Sequence, residues 1–254
     1  FVDDARGDAS SANVPKNRAS LYAHNVSSGF NVDRPSGLRE LRQFAEALSD
    51  RAGVARVCVT WPGDSWAGTA SYSLEGNDAD DSGHALADFI ARVLPRGTTL
   101  SFVSHSLGAR VILSALMRVD RRAYRVRAVC PMAPAVDDFS VSAPELYRAA
   151  AASAGTVHVL ASRSDTVLKY AYPAGDILQS FLFFWKEAAG LALGYHGARP
   201  SGTHGVPKGV HTEQIPDALE VGHGDYLWYE PPTAKQQRAV AFVDAVLRGG
   251  HPAY

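Results

Sequence analysis

Ser104-His105-Ser106-Leu107-Gly108 is a small-x-Ser-x-Gly pentapeptide lying between an apolar run at 100–104 and a segment of helical period at 107–119. A sharp strand-to-helix turn needs small residues on both sides of a central serine, because backbone and neighbouring strands crowd it. Such a turn stands the serine at the helix N-terminus, where Ser106 could act as a nucleophile and the Leu107 N–H could face a developing oxyanion. Ser104 takes a place where glycine is commonest and adds a side chain at a crowded point. An ordinary turn with no chemistry is the plainer alternative.

A serine hydroxyl is a poor nucleophile until a base takes its proton and a further group orients that base. The best-placed candidates are Asp165, in Ser162-Arg163-Ser164-Asp165, and His223, flanked by glycines in Gly222-His223-Gly224-Asp225. Asp137 and Asp138 compete for the acid's role. His196, His204 and His211 invite a metal reading, but their spacings match no helical or zinc-ligand pattern, so loop histidines are expected and no metal site is assigned. His105 is expected to support the turn and Asp225 to belong to the turn around His223. The stretch 77–83 lacks the alternating ligands and closing Glu of a calcium loop, and reads as helix capping.

The elements that must position these groups alternate along the chain. Apolar runs at 21–24, 56–61, 100–104, 126–132 and 156–161, with a weaker one at 218–221, read as strands buried on both faces. Between them the apolar period becomes helical. Leu38, Leu41, Phe44, Ala45 and Leu48 share one face, as do Leu86, Phe89, Ile90, Val93 and Leu94, and a last helix carries Val240, Val243, Val246 and Leu247. Strand and helix in this rhythm imply an α/β fold, a mostly parallel sheet with helices on both faces. In such sheets active sites lie beyond the carboxyl ends of the strands, where Ser106, Asp165 and His223 all fall.

The 254 residues carry 25 Lys+Arg and 26 Asp+Glu for a net charge of −1, and 46% of them are hydrophobic. Balanced charge without a basic run argues against a nucleic-acid partner. No stretch has the ~18 uninterrupted apolar residues of an integral membrane segment; 177–193 comes nearest, broken by Lys186 and Glu187. Two cysteines, Cys58 and Cys130, are too few for a disulfide scaffold or a cysteine zinc site. We expect a polar arm at 1–20 and a single domain at 21–254, in which 169–215 is an insertion between acid and histidine. Within it Phe181 and Trp185 belong to an apolar stretch that reads either as a lid lining a substrate pocket or as a crossover helix packed on the sheet. No pattern specifies an oligomeric state or a compartment.

Taken together, the motifs resemble those of the α/β-hydrolase superfamily over roughly 21–247. More narrowly they resemble a bacterial group of uncharacterised members, through His24, Gly29-Phe30-Asn31-Val32, Thr60-Trp61-Pro62 and the pentapeptide around Ser106. A small residue other than glycine at the first pentapeptide position is normal in that group. The resemblance implies a Ser106, Asp165, His223 triad in the superfamily's chain order, no cofactor, and cleavage of a carboxylic ester through an acyl-enzyme; the near-zero net charge fits a small, neutral substrate better than a polyanion. The resemblance places the second oxyanion donor in the loop after the first run, as the N–H of either Asn25 or Phe30, with Phe30 also near the substrate. It implies about six parallel strands, with the superfamily's two leading strands expected to be missing. Its strand order sets Cys58 and Cys130 on non-adjacent strands, so no disulfide is expected. His223 must be neutral to act, so activity is expected to fall below roughly pH 6. The rival readings are a non-catalytic binding or scaffold protein of the same fold, and an acyltransferase or thioesterase using the same triad.

Overall fold

The computed structural model describes residues 2–4, 18–24, 34–49, 54–61, 72–171, 191–228 and 230–254. Seven strands form one sheet: β1 (Val2–Asp4), β2 (Arg18–His24), β3 (Ala55–Val59), β4 (Thr99–His105), β5 (Arg125–Met132), β6 (Thr156–Ser162) and β7 (Val210–Ile215). Their spatial order is β1-β3-β2-β4-β5-β6-β7. Strands β2 to β7 are parallel, and only β1 runs antiparallel, against β3. The helices are α1 (Arg34–Ala47), α2 (Tyr72–Val93), α3 (Gly108–Arg118), α4 (Arg148–Ser153), the short α5 (Leu193–His196) and α6 (Ala234–Leu247).

Five of the six expected strands coincide with β2 to β6. The weak run at 218–221 is not a strand: Asp217–Leu219 is a 3-10 turn, and Val221 is buried just beyond it. The sixth parallel strand is β7, at the end of the 169–215 stretch read as an insertion, and it holds His211, which was expected in a loop. As the last strand of the sheet it buries only its end residues Val210 and Ile215, so it lacks the apolar run of an interior strand. The polar arm at 1–20 likewise contributes β1 and the start of β2.

Strand β4 shows why the centre of the sheet was readable. Leu100, Phe102 and Val103 are all buried, so both faces of the strand are covered. Helices α2, α3 and α4 pack together. The end of α1 meets α6, where Ser49 Oγ donates to Asp244 Oδ2 at 2.8 Å. Helix α2 begins at Tyr72, earlier than the capping reading of 77–83 placed it. Further along α2, a Cβ at Gly83 would lie 2.6 Å from the Val111 carbonyl oxygen, so only glycine lets α2 approach α3 this closely. Asp80, one turn earlier, accepts from Arg110 Nη2 at 2.7 Å and from Tyr147 Oη at 3.1 Å.

Candidate active site

Strand β4 ends at His105 and α3 opens at Gly108, leaving two residues to turn the chain. Ser106 makes the turn at φ 54°, left-handed space that a non-glycine side chain enters only under surrounding constraint. That constraint is visible: the Ser106 N–H donates to Met132 O at the end of β5, and its carbonyl accepts from Ala109 N and Ala135 N. Ser104 is buried without displacing the turn, and its hydroxyl has no partner among the described residues. Leu107 caps α3, at the end of a helix where unpaired N–H groups gather.

Asp165 follows β6 by three residues and is fully buried. Its Oδ1 accepts from Leu168 N at 2.9 Å and its Oδ2 from His223 Nδ1 at 2.7 Å. Ser162 fixes the same turn by donating from Oγ to Val221 O at 2.6 Å, which also ties the end of β6 to the approach to His223. His223 opens a 3-10 turn, His223–Tyr226, whose first N–H, that of Gly222, donates to Asp225 Oδ2 at 2.8 Å. Asp225 is therefore the turn residue expected. His223 Nε2 lies 2.9 Å from Ser106 Oγ. Because Nδ1 faces a carboxylate and must donate its hydrogen, Nε2 carries the lone pair and accepts from the serine hydroxyl.

His105 holds His223 from behind, and Tyr226 lies behind His105. His105 donates from Nε2 to the His223 carbonyl at 2.8 Å, with ring centroids 4.7 Å apart. Tyr226 is fully buried, 6.0 Å from the His105 ring. Burial first, and the Asp165 carboxylate next, push its phenol well above the ordinary value, so it stays neutral.

The structure thus brings Ser106, Asp165 and His223 together across 117 residues of chain. Asp138, the rival acid, is elsewhere. It is buried against Arg199 Nε at 2.6 Å and His196 Nδ1 at 3.4 Å, and its backbone pairs with Leu191 and Arg199. Asp137 bridges to Ala192. His196, one of three histidines read as loop residues, lies in α5 with its Nδ1 beside the Asp138 carboxylate. Asn25, Phe30, Phe181 and Trp185 lie outside the described residues. Cys58 and Cys130 are buried on β3 and β5, with β2 and β4 between them. Burial pushes the Cys130 thiol up, so it supplies no competing nucleophile.

A family model described as an alpha/beta hydrolase of unknown function (DUF900) matches residues 21–177. The chain belongs to this α/β-hydrolase family. Ser106 and Asp165 lie within the matched residues, and His223 lies beyond them. Among solved structures, the chain is similar to a hyperthermophilic esterase from the archaeon Pyrobaculum calidifontis at 15% identity and TM-score 0.46, over 94% of this chain and 76% of that one. It is similar to a thermophilic esterase from the planctomycete Thermogutta terrifontis, bound to propionate, at 9% identity and TM-score 0.49, over 98% of this chain and 88% of that one. A poly(3-hydroxybutyrate) depolymerase from Bordetella parapertussis matches at 15% identity and TM-score 0.49, over 94% and 83%. No curated protein matches the chain. Among the described residues no helix is long and apolar enough to cross a membrane.

Proposed function

We propose that the protein is a serine hydrolase that cleaves carboxylic esters through Ser106, His223 and Asp165. The observation that carries the proposal is the unbroken hydrogen-bond chain from Ser106 Oγ through His223 to Asp165, 2.9 Å and 2.7 Å, on a serine held at positive φ. His223 Nε2 takes the hydroxyl proton as Ser106 Oγ attacks the ester carbonyl carbon. The carbonyl π electrons move onto oxygen, and the Leu107 N–H with a second N–H from Asn25 or Phe30 receives that oxyanion. As the intermediate collapses, the C–O bond to the alcohol breaks and His223 returns its proton to the leaving oxygen. Water then repeats the sequence on the acyl-enzyme, releasing the acid and restoring Ser106. Asp165 stays ionised throughout and fixes the imidazole's tautomer and aim.

The substrate we assign is a small neutral ester, consistent with a net charge of −1 that offers no general attraction to polyanions. We further propose one hydrolase domain over 21–254, with Phe181 and Trp185 in the segment before α5 bounding the acyl group. A panel of p-nitrophenyl esters of graded chain length, run on the parent and on Ser106→Ala, tests the assignment. Hydrolysis by the parent and a loss of about 10⁴-fold or more in the variant is expected; equal rates would remove Ser106 from the chemistry.

A further inference from the structure

His158, His211 and His251 come from three separate parts of the chain and meet near the β7 edge of the sheet. His158 is the third residue of β6 and pairs in register with His211 of β7, so the two imidazoles leave the same face of neighbouring strands. The tail after α6 brings the third. Tyr254 N–H donates to Glu213 Oε1 at 2.8 Å, its hydroxyl donates to Lys235 O at 3.2 Å, and its ring lies 6.0 Å from Phe242, which anchors the tail carrying His251 beside β7. The three ring centroids are 5.0, 5.0 and 5.1 Å apart, and one nitrogen of each imidazole lies within 4.8 Å of the other two. His158 is only 3% exposed, and its Nε2 is buried with no hydrogen-bond partner among the described residues. Native interiors rarely leave such an atom unused, and a ligand at the imidazole cluster would account for it.

We propose that His158, His211 and His251 bind one divalent first-row transition cation, with Zn²⁺ the best fit. Three imidazole nitrogens without a carboxylate suit zinc, nickel, cobalt or copper, and do not suit calcium or magnesium, which require oxygen ligands. Zn–N bonds of ~2.0–2.1 Å in a tetrahedron set the nitrogens ~3.4 Å apart, so the cluster must close by up to ~1.4 Å. His211 and His251 are exposed and free to make that adjustment against the fixed His158. Solvent takes the fourth position.

The site stands apart from the proposed chemistry. His158 precedes Ser162, the last residue of β6, by four residues, ~13 Å at the rise of a parallel strand. Asp165 and His223 lie past the opposite, carboxyl end. The ion therefore acts as a clasp that ties the C-terminal tail to the face of β6 and β7.

The untagged full chain, stripped with a chelator, is titrated with Zn²⁺ alone and with Co²⁺ alone. The expected result is one ion per chain, visible absorption of tetrahedral Co²⁺, and a rise in Tm that chelator reverses. His251→Ala and His211→Ala, both at exposed positions, are expected to weaken Zn²⁺ binding by more than the ~10–100-fold that loss of an outer partner costs. Their melting in chelator and their hydrolysis of an aryl ester stay at the parental level. His204→Ala, exposed and outside the cluster, binds Zn²⁺ like the parent. No ion on the parent chain, or undiminished binding in both cluster variants, overturns the proposal.

Discussion

Two buried aspartates follow neighbouring strands, Asp138 after β5 and Asp165 after β6, and each lies against a histidine. Their surroundings assign them different work. Asp138 is held by the Arg199 guanidinium as well as by His196, so its charge is already balanced and its role is to tie the 191–199 segment to the end of β5. Asp165 meets no guanidinium among the described residues. Its bonds come from the Leu168 N–H and from His223, whose other nitrogen reaches Ser106. A carboxylate that balances an arginine ties structure together, whereas under the proposed function one whose histidine partner points at a nucleophile fixes that histidine's tautomer and aim.

The sharpest way to break this contrast is to remove one charge at a time. Asp165→Asn keeps the side-chain volume but deprives His223 of its orienting acceptor, and kcat on an aryl ester is expected to fall about 10⁴-fold with little change in fold. Asp138→Ala should do the reverse. Because Arg199 is about half exposed and water can take over its charge, the loss is expected near ~2 kcal/mol of unfolding free energy, below the ~3–5 kcal/mol of a wholly buried pair, with kcat within a few-fold of the parent. A large kcat loss in Asp138→Ala alone would exchange the two roles.

A third carboxylate gives the smallest effect and a pH signature. Burial opposes ionisation of Asp80, but bonds from Arg110, Ser114 and Tyr147 outweigh it and hold its carboxyl below the ordinary 3.8. In the window between its folded and unfolded values the unfolded chain binds the extra proton. The stabilisation is therefore complete above pH 3.8 and is lost as pH falls through the lowered folded value. Urea unfolding from pH 6 down to pH 3 should show a shallower acid decline for Asp80→Asn than for the parent; identical slopes would remove Asp80 from the acid response.

What could be read from residue types alone follows from how locally each feature is encoded. The strand, turn and helix around Ser106 are contiguous, and each imposes its own composition, so the nucleophile candidate and its context were legible together. Asp165 does follow the end of a strand, β6, as expected, whereas His223 was placed after the run at 218–221, which is a 3-10 turn; the strand that precedes it is β7. Strand β7 was not legible, because as the last strand of the sheet it needs few apolar residues: Val-His-Thr-Glu-Gln-Ile buries only its ends. The packing of α2 on α3 was hidden for a different reason. It is set by the close approach at Gly83 and by the pairing of Asp80 with Arg110, 30 residues away. The choice between Asp138 and Asp165 likewise turned on Arg199, 61 residues from Asp138, and the three-histidine cluster on a tail 93 residues beyond His158, both beyond any local pattern.

The central claim is that His223 activates Ser106 as a nucleophile. Intact-mass and peptide mass spectrometry of the folded chain after brief exposure to a fluorophosphonate addresses it directly. The account predicts a single adduct on Ser106, absent from Ser106→Ala and strongly slowed in His223→Ala. An unlabelled Ser106, or labelling at the parental rate without His223, would contradict it.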